Sequence, residues 1–105
     1  MTTQAEFDRV AREFLGWRRI GVSGRFVKYH DKTHATWHGP PGPTPAFFFA
    51  LWDRCVEKGL RVFPDHASTR LCAPFKLDAS NHYTAEGDPR HALAACVIQF
   101  LDMET

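Results

Sequence analysis

Tyr83-Thr84-Ala85-Glu86-Gly87-Asp88-Pro89-Arg90-His91-Ala92-Leu93-Ala94-Ala95-Cys96-Val97-Ile98 is the stretch whose reading decides the fold. It begins as a strand end, turns, and continues as an Ala-rich helix. Asp88 has the side chain of an N-cap, and Pro89 suits the first helical position, where a missing N–H costs nothing. Ala92, Leu93, Cys96, Val97 and Phe100 then recur at helical spacing and form the packed face. Small residues let such a helix press its backbone close to a sheet.

Two more helices stand upstream. Thr2 or Thr3 caps a first helix with Glu6 in its first turn, and Phe7, Val10, Ala11, Phe14 and Leu15 make one apolar face. Gly16 stops it and Trp17 follows as an anchor. Thr44-Pro45 opens a second helix that runs to about Lys58 and ends at Gly59. Phe48, Phe49, Leu51, Trp52, Cys55 and Val56 make this helix apolar around most of its circumference, a pattern that demands deep burial or a partner. The aromatic residues Phe14, Phe48, Phe49, Trp52 and Phe100 read as core.

The stretches between are extended. Ile20, Val22, Phe26, Val27, Tyr29, Thr36 and Trp37 favour strands, with turns at Ser23-Gly24 and Asp31-Lys32. Short strands follow at Leu60–Phe63, Thr69–Ala73, Phe75–Leu77 and Asn81–Ala85. The order helix, strands, helix, strands, helix predicts an α+β fold, a small antiparallel sheet with three helices packed on it. Gly39-Pro40-Pro41-Gly42-Pro43 is a rigid connection too short to separate domains, so residues 1–105 read as one globular domain.

Composition bounds the function. Hydrophobic residues are 44% and charged residues 24%, ordinary for a soluble domain. The 13 Lys and Arg nearly balance the 12 Asp and Glu, which gives no electrostatic argument for nucleic acid or an anionic membrane. Arg18, Arg19, Arg25 and Lys28 form a weak basic cluster, read first as a solvated strand face. The six histidines begin to charge below about pH 6. The three cysteines, Cys55, Cys72 and Cys96, are widely spaced with no C-x-x-C, and read as buried thiols in a reducing compartment. The first residues lack the features of a signal peptide, and no apolar run reaches the roughly 20 residues of a membrane span. The expected location is the cytoplasm.

Three segments resemble the phage alpha-beta-alpha sandwich domain family, small phage and prophage proteins of unknown function. They are Val10-Ala11-Arg12-Glu13-Phe14-Leu15-Gly16-Trp17, then Pro43 with Ala50-Leu51-Trp52-Asp53-Arg54-Cys55-Val56-Glu57-Lys58, then Ala85-Glu86 with Pro89 and Ala92-Leu93-Ala94-Ala95-Cys96. Their order is similar to that of the family. Pro45-Ala46-Phe47 replaces the Ser-Thr-Asp usual at the second helix start, and Ala94 stands where a Cys is expected. The resemblance implies origin and an α-β-α layering rather than a mechanism.

Motifs for chemistry are sparse. His30, His34 and His38 share the i, i+4, i+8 spacing of a helix face, but the segment is β-rich. On one strand, positions four apart are roughly 13 Å distant. Zinc bonds are about 2 Å long. No metal and no cofactor is expected. A Cys-His-Asp hydrolase would draw on Cys72, His66 or His82, and Asp65 or Asp78, yet nothing in the pattern activates Cys72. Gly39-Pro40-Pro41-Gly42 lacks the N–H donors of a phosphate loop.

The preferred reading is a non-catalytic phage or prophage accessory protein that binds another protein, either itself or a host factor such as a defence component. The expected interface is Trp37, Pro40, Pro41 and Phe47, with Arg25 and Tyr29 at its edge, because aromatic residues and Arg anchor interfaces. The alternatives are a single-stranded nucleic-acid-binding accessory and a small Cys/His enzyme. Aromatic residues make up 13% of the chain, and those near the basic cluster could stack on bases.

Overall fold

A computed structural model describes residues 2–23, 26–31, 37–38, 41–65, 68–72 and 82–104. Helix α1 (Gln4–Glu13) starts at a complete capping box. The Thr3 hydroxyl accepts from the Glu6 N–H at 3.2 Å and the Glu6 carboxylate accepts from the Thr3 N–H at 3.0 Å. Two donors that a helix start leaves open are thereby satisfied. Gly16, at φ +74°, takes the left-handed conformation that ends the turn and sends Trp17 into the core.

Strands β1 (Trp17–Ser23), β2 (Phe26–Asp31) and β3 (Trp37–His38) form one antiparallel sheet in sequence order. The β1–β2 register advances from Arg19↔Tyr29 to Gly21↔Lys28, so β1 carries an extra residue at Ile20, a β-bulge. Helix α2 (Pro45–Glu57) follows, with the Thr44 hydroxyl accepting from the Phe47 N–H at 3.2 Å. Its end is a Schellman motif. The Gly59 N–H donates to the Val56 carbonyl and the Leu60 N–H to the Cys55 carbonyl, and Leu60 is buried beneath the turn.

Strands β4 (Arg61–Pro64), β5 (Ser68–Cys72) and β6 (His82–Glu86) form a second antiparallel sheet, again in sequence order. Helix α3 (Pro89–Glu104) closes the fold, its first turn bonded to Asp88: the carboxylate accepts from the Arg90 N–H at 2.9 Å. The expected strand at Phe75–Leu77 lies outside the described residues.

The α+β class, the antiparallel strands and the three helices agree with the sequence. The strands divide between two sheets where a single sheet is expected. Each run of strands closes on its own sequence neighbours, and α2 with the prolines before it separates the runs. Proline at 41 and 43 has no N–H to extend a ladder from one run to the other.

The core gathers on α3, which packs on β4, β5 and β6 and also meets α1 and α2. Leu93, Ala94, Cys96 and Val97 are fully enclosed, as are Val10, Ala11, Leu51, Cys55 and Leu71. Each large aliphatic side chain so placed contributes roughly 1.5–3 kcal/mol. Ala94 and Ala92 allow the close approach that the Ala-rich sequence promised. Polar ties pin α1 to its surroundings. Arg9 pairs with Asp102 at 2.7 Å, the Thr2 hydroxyl donates to the His91 carbonyl at 2.8 Å, and the Gln4 amide donates to the Pro41 carbonyl at 2.7 Å. On the second sheet, Thr69, Leu71 and Tyr83 face this core, and the alternate residues face away from it. No helix among the described residues is long and apolar enough to cross a membrane.

Candidate interaction surfaces

Phase decides which face of α2 is free. Phe47, Leu51 and Cys55, at i, i+4 and i+8, form the buried line. Phe47 is only 3% exposed; its ring meets the Phe7 ring at 5.7 Å and the Trp17 ring at 5.6 Å, edge to face in both cases. The opposite side carries Phe49, 62% exposed, and Val56, 60% exposed, two turns apart with half-buried Trp52 between them. Phe48 flanks the stripe, with its ring centroid 5.7 Å from Phe49 and 5.6 Å from Trp52. Pro45, Phe48 and Phe49 form one wall of an open cleft of about 450 Å³, and Asp88, Pro89 and Arg90 form the other. The starts of α2 and α3 thus frame an apolar floor with one acidic and one basic residue at its rim.

This geometry reassigns two of the residues expected to bind a partner. Phe47 is a core aromatic, and Pro41 is fully buried with its carbonyl engaged by Gln4. Neither presents a surface. The sequence placed Phe49 in the core and Phe47 outside because a run of three phenylalanines satisfies several helical phases. The i, i+4, i+8 line through Leu51 and Cys55 was the signal that separates them. Tyr29 stands opposite His38 in the register, and Trp37 opposite His30. Arg25 and Pro40 lie outside the described residues, so the expected interface is not brought together among the described ones.

The second sheet has a surface of its own. Register aligns Arg61 with Cys72 and His82, and Phe63 with Arg70 and Thr84. Arg61, Phe63, Arg70 and Thr84 are exposed on the face away from the helices, Phe63 at 46%. The Arg70 guanidinium sits over the Phe63 ring, 5.1 Å from its centroid. That is a cation–π contact across the β4–β5 ladder.

His30 and His38 occupy adjacent rows of the β2–β3 register. His34 lies outside the described residues, and no cluster of potential metal ligands occurs among the described ones. Of the cysteines, Cys55 and Cys96 are fully buried. Burial, with the Cys96 sulfur nearby, pushes the Cys55 thiol up to about 12, and burial raises Cys96 to about 11. The Cys96 thiol donates to the Thr69 carbonyl at 3.3 Å, tying α3 to β5. Cys72 is half-buried on the outer face of the second sheet. Of its suggested partners, His82 stands opposite Cys72 in the β5–β6 register, and His66 and Asp78 lie outside the described residues. Comparison with protein-family models, with curated proteins and with solved structures finds no match to this chain.

Proposed function

We propose that this chain is a non-catalytic protein-binding module that receives an apolar, amphipathic segment of a partner protein on the outer stripe of α2. The observation that carries the reading is the pair Phe49 and Val56, 62% and 60% exposed on one line of the helix. With Phe48, Trp52 and the adjoining cleft they form a contiguous apolar floor with a polar rim, the anatomy of a protein interface. A helix laid along α2 would recover about 25 cal/mol for each Å² of apolar surface it covers. A phage or prophage accessory role, acting on a host factor or on a second copy, rests on the sequence resemblance and is compatible with this surface.

The test is a comparison of wild type with a Phe49→Asp, Val56→Asp double variant. Both positions are exposed, so the variant should keep its circular dichroism spectrum and melting profile. Sedimentation analysis and tagged capture from nuclease-treated bacterial lysate should then show a wild-type partner, or a dimer, that the variant loses. An unchanged oligomeric state together with unchanged capture would refute the reading.

A further inference from the structure

We propose that the open face of the second sheet is a binding site for single-stranded nucleic acid, separate from the α2 stripe. The helices take one face of β4–β5–β6, and the other carries Arg61, Phe63, Arg70 and Thr84, with Ser68, Cys72 and Glu86 on the same alternation. An exposed aromatic ring on a twisted antiparallel sheet offers a base its π face. Phe63 is such a ring, and the Arg70 guanidinium already stacks on it, 5.1 Å from its centroid. A base entering on the free side of the ring would be sandwiched in a stack that ends in a guanidinium.

Charge fits the same ligand. Arg61 lies two residues before Phe63 on the same face, so a second guanidinium belongs to the same surface as the ring. The two rows built by Arg61 and Phe63 contain Cys72, His82, Arg70 and Thr84, and no carboxylate. Glu86 is exposed on the same face one row beyond Thr84, opposite Ser68, so the positive character is confined to the rows of Arg61 and Phe63. Arginine binds phosphate in a planar, two-pronged fashion, and Thr84 adds a hydroxyl for a phosphate or a 2′-hydroxyl. A duplex would withhold its base faces from Phe63, so the site selects unpaired strands. The chain's near-neutral net charge of +1 makes this a local effect of two arginines and a ring rather than a bulk attraction.

The experiment is fluorescence anisotropy with a labelled oligo(dT) and a labelled oligo(U) at two or more salt concentrations, repeated with a hairpin duplex. Wild type should bind the single strands saturably, more weakly as salt rises, and the duplex less tightly. Phe63→Ala should weaken single-strand binding about 5- to 150-fold, the range for one lost base stack. Arg70→Ala or Arg61→Ala should each lower the slope of log affinity against log salt by about 0.7. The Phe49→Asp, Val56→Asp variant should bind oligonucleotide as wild type does, so this proposal and the protein-binding one fail independently. Absence of saturable binding at low salt, equal affinity for duplex, or retention of full affinity in the Phe63→Ala variant would each overturn the site. A peptide ligand that competes for Phe63 in the absence of any oligonucleotide binding would assign the face to a protein instead.

Discussion

The Arg54 side chain donates from Nε to the backbone carbonyl of Phe14 at 3.2 Å, joining α2 to the last turn of α1 across 40 positions of sequence. Phe14 is the C-cap of α1, where carbonyls lose their intrahelical partners. The guanidinium supplies one, and its other edge pairs with Glu57 at 3.1 Å. The Lys58 ammonium, at the C-cap of α2, lies 5.5 Å from the centre of the Phe14 ring, so two cations serve the C-cap residue of α1.

Replacing Arg54 by Met keeps much of its aliphatic packing and removes the bond. The expected loss is about 0.5–1.5 kcal/mol, the ordinary net value of one hydrogen bond. The Glu57 pair is solvent-exposed and adds little. Urea denaturation of Arg54→Met and Glu57→Gln would show the first destabilised and the second close to wild type.

The α1 capping box predicts a pH effect. Bonds from the Thr3 N–H and then from its hydroxyl hold the Glu6 carboxyl below its ordinary value of 4.5. A lowered folded value means the contribution is present above pH 4.5 and disappears as pH falls through the folded value. Thr3→Ala should cost about 1 kcal/mol at neutral pH. The gap between variant and wild type should narrow in acid, as equilibrium unfolding at a series of pH values would reveal.

Phe47 and Phe49 are two residues apart and should behave as opposites. Phe47→Ala removes a ring held by Phe7 and Trp17 and should cost about 3–5 kcal/mol. Phe49→Ala removes an exposed ring and should change stability by about 0.5 kcal/mol or less. Paired denaturation curves check the assignment of the helical phase directly.

The cysteines separate by reactivity. In the native protein a thiol reagent should modify Cys72 first, while Cys55 and Cys96 wait for unfolding. Their raised values also set an alkaline limit. Folding keeps both thiols protonated, so the stabilisation is complete below the ordinary value of 9.0 and is lost as pH rises from there through about 11 to 12. Cys55→Ala and Cys96→Ala should flatten that decline, each at the expense of some packing at neutral pH, and a plot of melting temperature against pH would show it.

Helix ends were the most legible part of the sequence. Thr3, Gly16, Thr44-Pro45, Gly59 and Asp88-Pro89 all mark their boundaries, because caps depend on local chemistry that a few residues specify. The face of α3 was legible in part: Ala92, Leu93, Cys96 and Val97 are buried as expected, but Ala94 and Leu101 are buried too and Phe100 only half so, because small and aliphatic residues surround this helix. The face of α2 was not, since Phe47, Phe48 and Phe49 satisfy any phase, and tertiary contacts with Phe7 and Trp17 decide it. Division of the strands into two sheets was hidden because pairing is non-local. The outer residues Arg61, Phe63 and Arg70 passed unnoticed as a group because only register makes them neighbours.

Helix α3 also dictates when the chain can fold. It comes after every other element in sequence, yet it is the surface on which α1, α2 and all of β4–β5–β6 assemble. During synthesis those elements emerge with their apolar faces uncovered and must wait for Pro89–Glu104 to leave the ribosome. Until then the nascent chain offers Leu51, Leu71 and Tyr83 to whatever chaperone is near. A release that stopped before α3 would leave a client for proteolysis rather than a smaller domain.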